Sequence, residues 1–562
     1  MNRFQKYLSF LLIALLLLPL GCRKTAASDP APAPASPAAE ADAAPSAPDN
    51  GEFVVSDPRY TANTAIKDNN RVFYEIFVGS FSDSDGDGIG DIKGIVNRMD
   101  YLNDGDPDSG KSLGVEGLWL TPIFTSPSYH KYDVANYYQI DPKFGTTDDL
   151  FELLDICHQR DVLVILDLPI NHSSNRCQWF KAFTDAHKNG DTQSEYYDFY
   201  SWYDKDTQSA PSGRVFQQIP GTKHYYECNF TGEMPELNFD NEAVRAAVLD
   251  VAEYWLNVGV DGFRFDAAKY IYYGDHAESL DFWLWYLGTL RQEKPDLYTV
   301  AEVWDGDGIT DLYYPATNCF DFRVSQPGGL IEETAAAGDV NRYTSYVEKY
   351  LTRVQTLRDD ATIVPFIANH DTDRAAGFLT LASGRMRIAA NLYLLGPGSP
   401  FLYYGEEIGM RGSRGGANTD ANRRLAMPWG DDDAVKDPEG TTYDVSKKVD
   451  APALEQIKDA DSLYTYYKTL LMIRKANPAI AHGTYTALEL PDTKVGGFAA
   501  TLNGETVLVI HNTTMSYKTV DLGGLGYTLG DLRAVIGVED ASLDGTTLEI
   551  GRQTSVVIAC KS

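Results

Sequence analysis

From Arg71 onward the chain alternates short apolar runs with helical stretches, and it does so eight times. The runs are Val72–Val78, Gly117–Thr121, Val162–Leu168, Gly262–Asp266, Tyr298–Glu302, Cys319–Phe322, Ile363–Asn369 and Phe401–Tyr404. Eight strands separated by helices argue for an α/β fold, a closed parallel (β/α)8 TIM barrel. Chemistry in such barrels sits at the C-terminal ends of the strands. Asp266, Glu302 and Asp371 fall at or just after such ends.

The 562 residues suit one large barrel with additions. After the third run, about 70 residues rich in Tyr, Gly, Asp and Asn precede a helix starting near Glu242, far more than a usual βα loop. That stretch predicts an inserted domain at 172–238, with the barrel at 56–171 and 239–478. Past Pro478 the pattern changes to short alternating stretches such as Thr506–His511 and Ser555–Ala559. Gly, Asn and Asp break them, which predicts a C-terminal antiparallel β-domain at 479–562.

The first residues read as an export signal. Arg3 and Lys6 supply the positive region, and the apolar run Phe10–Leu18 is too short to span a bilayer comfortably. The run ends in Leu20-Gly21-Cys22, which resembles a bacterial lipoprotein signal, cleaved before the Cys that then carries lipid. On that reading 1–21 is the signal peptide. Segment 22–55, almost all Ala, Pro, Ser and Asp from Ala26 to about Asn50, is an extended tether that cannot bury a core. The expected location is the cell envelope, at the outer membrane or facing the periplasm in a Gram-negative cell and at the cell surface otherwise. Arg23, in place of an Asp after the lipid Cys, favours the outer membrane in a Gram-negative cell.

The formal charge of −32 argues against a nucleic-acid partner and fits a protein facing a neutral substrate. With Cys22 set aside, an odd number of cysteines remains: Cys157, Cys177, Cys228, Cys319 and Cys560. Cys177 and Cys228 bracket the insertion and are the candidate disulfide. Cys157 and Cys319 read as buried free thiols.

In the run Asp261-Gly-Phe-Arg264-Phe-Asp266-Ala-Ala-Lys269, alternation along a strand puts Arg264 and Asp266 on one face. A guanidinium beside a carboxylate lowers its pKa, so Asp266 is either an acid kept ionised for nucleophilic work or half of a structural ion pair. Four stretches in order decide between these: Asp167-Leu-Pro-Ile-Asn171-His172, Gly262-Phe-Arg264-Phe-Asp266-Ala-Ala-Lys269, Ala301-Glu302-Val-Trp304 and Asn369-His370-Asp371. They resemble the signature regions of the α-amylase family of glycoside hydrolases (family 13), and Met234-Pro-Glu-Leu-Asn238 resembles its fifth region. The likeness covers roughly residues 70 to 560, in a form between the oligo-glucosidase and neopullulanase branches.

The resemblance implies roles. Asp266 matches the nucleophile, Glu302 the general acid/base and Asp371 the carboxylate that binds and distorts the sugar. Arg264 matches the arginine contacting the nucleophile. His172 and His370 match sugar-binding histidines, Tyr132 the stacking tyrosine, and Lys269 a contact on the leaving-group side. Retaining hydrolysis independently needs one ionised and one protonated carboxyl about 5–5.5 Å apart. Glu302 is expected to have its pKa raised by nearby negative charge and partial desolvation.

Asp83-Ser-Asp85-Gly-Asp87-Gly-Ile89-Gly-Asp91 places oxygen donors at alternate positions, as a hard cation requires. It begins like an EF-hand, but the twelfth position is Gly94 rather than Glu. It resembles instead the calcium loop after the first barrel strand of oligosaccharide-cleaving relatives, which implies one structural Ca²⁺ held by Asp83, Asp85, Asp87, the Ile89 carbonyl and Asp91. A second family site, between barrel and insertion, is not expected, because Tyr270 stands where its His would be.

Relatives cleaving α-1,6 bonds usually carry Val after the nucleophile, where this chain has Ala267. Exo-acting α-glucosidases carry Asp three residues before the stacking Tyr, where this chain has Tyr129. Both differences favour endo-type hydrolysis of α-1,4-glucosidic bonds in starch, glycogen-like glucans and maltooligosaccharides; a monomer is expected. An exo-acting α-glucosidase, a neopullulanase-like enzyme or a glucan-transferring relative remains open, since hydrolysis and transfer share one covalent intermediate. A non-catalytic glucan-binding protein is disfavoured by the intact carboxylates.

Overall fold

The computed structural model describes residues 69–379 and 384–561. The signal segment, Cys22 and the tether lie outside the described residues. One parallel sheet holds seven of the eight expected strands, in the order sixth, fifth, fourth, third, second, first, eighth. These are Asn318–Cys319, Tyr298–Ala301, Gly262–Phe265, Leu163–Leu168, Gly117–Leu120, Phe73–Ile76 and Phe401–Tyr403.

The seventh, Ile363–Asn369, does not form a continuous strand. Pro365 lacks an N–H and interrupts the ladder. The ring still closes there through single parallel bridges, Phe320 to Val364 and Phe366 to Phe401. Asp321 N donates to the Val364 carbonyl at 3.0 Å, and Phe401 N to the Pro365 carbonyl at 3.0 Å.

Alternation divides each strand between two environments. Phe73, Trp119, Ile165, Val300, Phe320, Phe366 and Phe401 fill the barrel interior as one apolar cluster. Tyr74, Leu118, Val164 and Phe263 face outward into the larger core beneath the helices. The fourth strand departs from this pattern. At its inner positions stand Gly262, where an added Cβ would lie 1.8 Å from the Tyr298 carbonyl oxygen, and the fully buried Arg264. The apolar plug thus gives way to a charge under the site.

After the third strand the chain runs through helix Gln178–Asn189 and a three-stranded antiparallel sheet of Trp202–Asp204, His224–Glu227 and Phe216–Gln218. It returns by bridges from Glu236 to His172 and from Leu237 to Tyr200, so the end of the insertion is stitched to its beginning. Beyond the last barrel helix, Leu463–Ala476, lies a five-stranded antiparallel sheet beginning at Thr484–Leu488, with a three-stranded sheet packed against it.

All five described cysteines are free. Cys157 and Cys319 are buried as expected, but Cys177 and Cys228 do not pair. Cys177 precedes helix Gln178–Asn189 and its thiol lies among Ser173 and Tyr200. Cys228 is held in a separate backbone ladder, its N–H bonded to the Val215 carbonyl at 2.8 Å, with Glu227 and Glu236 near its thiol.

Candidate active site

The fourth and fifth strands end at Phe265 and Ala301, one residue short of expectation. Asp266 and Glu302 therefore directly follow the last strand residues, at the mouth of the barrel. Both line a cavity of about 770 Å³, with Asp371, Tyr132, His172 and Lys269. Arg264 lies beneath it and His370 behind it, each 0% exposed.

Arg264 contacts three carboxylates. Nη1 is 2.8 Å from Asp167 and 2.7 Å from Asp266, and Nη2 is 3.0 Å from Glu302 Oε2. The Glu302 contact is ionic, without the alignment of a hydrogen bond. Sharing changes the expected electrostatics of Asp266. Burial raises its pKa, and Arg264, divided among three partners, only partly offsets that rise. The simple lowering expected from an adjacent arginine is thus corrected by desolvation. Burial likewise pushes Glu302 up to about 7; Asp266 and Asp371 add to the rise, Arg264 opposes it, and the Ala267 N–H donates to its Oε2 at 3.1 Å.

Asp371 behaves oppositely. Burial would raise it, but His370 and Arg424 outweigh burial and hold it well below the usual carboxylate range. His370 Nε2 lies 3.1 Å from Asp371 Oδ2, and Arg424 Nη2 lies 2.6 Å from Oδ1. Its side chain is 31% exposed, open to the cavity. Asp371 is thus held ionised beside a Glu302 that keeps its proton to higher pH, so environments a few ångströms apart push neighbouring carboxyls in opposite directions.

Tyr132 stacks on His370, with ring centroids 5.4 Å apart, and donates to Asp167 Oδ2 at 2.7 Å. His172 is buried and burial pulls its pKa down to about 4, so the ring is neutral; its Nε2 has no protein partner. Lys269 Nζ donates to the Trp304 carbonyl at 2.7 Å and to Asp305 at 2.9 Å, which ties the fourth and fifth strand loops together. Trp304, 39% exposed, lies flat against Phe322 at 4.7 Å and borders the cavity.

Three groups of the site were given no role by the motifs. Glu75 is bonded to His370, Asp167 to Arg264 and Tyr132, and Arg424 to Asp371. A carboxylate inside the apolar run Val72–Val78 was the available signal for Glu75. Asp167 opens the first signature stretch, but nothing local marked Arg424.

In the acidic loop, carboxylate oxygens of Asp83, Asp85 and Asp91 come within 4.8 Å of one another. Asp87 is outside that group; its Oδ1 accepts the Ile89 N–H at 2.7 Å. Clustered oxygens of this kind are the donor set of a hard cation.

Residues 75–483 match the family described as "Alpha amylase, catalytic domain". The chain is 36% identical to "Alpha-amylase 3" of Dictyoglomus thermophilum over 451 residues, covering 79% of this chain and 84% of that one. It is 30% identical to a cyclomaltodextrinase of Thermoanaerobacter pseudethanolicus over 442 residues, covering 77% and 65%. Among solved structures, Eubacterium rectale Amy13B superposes with a TM-score of 0.80 at 34% identity, covering 90% of this chain and 97% of that one. An α-amylase from H. orenii gives 0.77 at 33% identity, covering 88% and 100%. With the barrel, the clustered carboxylates and these relatives together, the chain belongs to the α-amylase family of glycoside hydrolases.

Proposed function

We propose that the protein hydrolyses α-1,4-glucosidic bonds within starch, glycogen-like glucans and maltooligosaccharides, with retention of configuration. The observation that carries this reading is the contact of one guanidinium with both Asp266 and Glu302. A shared Arg264 brings the two carboxyls to one point of the cavity, where a nucleophile and an acid are needed on the same bond.

Asp266 attacks the anomeric carbon while Glu302 gives its proton to the departing glycosidic oxygen. Glu302, now ionised, takes a proton from water. That water attacks the same carbon, breaks the ester to Asp266 and leaves the anomer unchanged. Asp371, held as an anion, opens into the cavity that takes the sugar, and His172 borders the same cavity. Endo action is supported at both ends. Tyr129, hydrogen-bonded to Arg424 at 3.1 Å, stands at the rim in place of an end-locking Asp. Past Asp371 the cleft continues into a second cavity of about 460 Å³ bordered by Trp304, Gln326 and Asp373.

Product analysis on starch, maltoheptaose, pullulan and sucrose tests this. The expected result is a fast loss of iodine staining with mixed short products from starch. Glucose, sucrose cleavage or longer transfer products as the main early species would replace the endo reading with an exo or transferring one.

We propose further that Asp83, Asp85 and Asp91, with Asp87 and the Ile89 carbonyl, hold one structural Ca²⁺. The ion neutralises clustered carboxylates and plays no part in bond cleavage. We also propose that lipid on Cys22 anchors the enzyme to the cell envelope through the 22–55 tether. No helix among the described residues is long and apolar enough to cross a membrane.

A further inference from the structure

Glu75 is a carboxylate in the middle of the first barrel strand, 1% exposed. Alternation turns it inward with Phe73, directly above the apolar cluster that plugs the barrel. A carboxylate so placed is costly unless its charge is matched at close range. Its match is His370. Glu75 Oε1 lies 2.6 Å from His370 Nδ1 and also accepts the His370 backbone N–H at 3.3 Å.

The hydrogen bonds around the ring fix its protonation state. Asp167 accepts on both oxygens, from Arg264 Nη1 at 2.8 Å, Trp119 Nε1 at 3.2 Å and Tyr132 Oη at 2.7 Å. Tyr132 has one proton, and it is given to Asp167. The Tyr132 oxygen must therefore accept from its other neighbour, His370 Nε2, at 2.7 Å. Nε2 also faces Asp371 at 3.1 Å, again an acceptor. With Glu75 accepting at Nδ1, both ring nitrogens carry a proton.

We propose that Glu75 is a positioning residue for the reaction: its buried carboxylate holds His370 as a fixed imidazolium that orients Tyr132 and faces Asp371. This rests on the functional reading of the same site. Charge balance gives the reason. Glu75, Asp167, Asp266 and Asp371 are four anions when Glu302 keeps its proton, and the permanent cations in contact with them are Arg264 and Arg424. The imidazolium is the third cation. Burial alone would pull the ring down, yet Asp371 and Glu75 push it up to about 10. The other groups facing the ring are Trp119, edge-on at 5.7 Å, and Arg424, whose Nε donates to the His370 carbonyl at 3.1 Å. Arg264, in contact with Asp167, completes the surrounding charge.

The test has two parts. Nitrogen-15 NMR of the wild-type protein, with the His370 signals identified among nine histidines, reads the ring directly. Both nitrogens protonated at about pH 8, where a free histidine is neutral, is the expected result. A neutral ring there overturns the proposal whether or not any variant folds. Second, Glu75→Gln keeps shape and the acceptor but removes the charge. It should lower kcat about 10- to 100-fold, the usual cost of losing a group that orients a functional side chain. KM and Tm should change little. The deficit should shrink at about pH 5, where the ring regains its proton, and grow at about pH 8. Wild-type kcat at both values, or a loss of equal size at both, sinks the idea. Failure of the functional reading is seen separately, in wild-type products.

Discussion

Arg264 carries one charge and faces three carboxylates, and that shortage sets the protonation order of the site. Asp371 has two further partners and stays ionised. Glu302 has the Arg264 contact and one backbone N–H, so burial dominates and carries its pKa to about 7. A raised pKa means the acid keeps its proton to higher pH, so the competent form is present below about 7 and is lost above it. We expect kcat/KM to fall about tenfold per unit as pH rises beyond that value. On the acid side Asp266 must be ionised to attack, and its raised pKa brings the acid limb inward. A pH–rate profile on a short maltooligosaccharide checks both limbs. A flat profile between about pH 6 and 9 would refute the assignment of Glu302 as the acid. Ala267 adds a constraint at the same scale. It adopts φ 50°, ψ 35°, a left-handed conformation in which a β-branched side chain is strained, and it aims its own N–H at Glu302.

At the scale of the element, the loop from Asp83 to Asp91 wraps on its own backbone. Asp83 accepts N–H groups from Asp85, Gly86 and Gly88, and Asp91 accepts from Ser84 and Gly94. Asp91 also caps helix Ile92–Asn97, so an ion bound here would brace the first βα connection of the barrel. Chelation with EDTA should lower Tm. An ion at a hundredfold excess over Kd stabilises by about 2.7 kcal/mol. Asp85→Ala should start at the lowered Tm and lose its response to the chelator, whereas identical melting curves with and without EDTA would remove calcium from the account. A residue that acts through its backbone leaves no mark in the apolar pattern. Pro365 is apolar and reads as strand, yet its missing N–H reduces the seventh strand to bridges.

At the scale of the whole molecule, the insertion closes on itself at the His172–Glu236 bridge, and the Leu237 N–H donates to the Asn171 carbonyl at 3.1 Å, which ties its end to the barrel beside the cavity. The proposed anchor would hold this body near a membrane. Cys22→Ser should move the enzyme from the membrane fraction to the soluble fraction with kcat unchanged, and a wild-type protein found only in the soluble fraction would exclude the anchor. The barrel and the order of its strands were legible along the chain, because strand periodicity is a local property, and Asp266, Glu302 and Asp371 were singled out by the motifs that resemble the α-amylase family. The failed Cys177–Cys228 pair was a guess about distance, which spacing along a chain does not contain. The same limit hid Arg424, 53 residues from the Asp371 it clamps, and Glu75, 295 residues from His370. Sequence by itself determined which groups stand at the mouth of the barrel. Only the tertiary structure decided how they share charge, because desolvation and the division of one guanidinium among three acids depend on distances set when all the strands close.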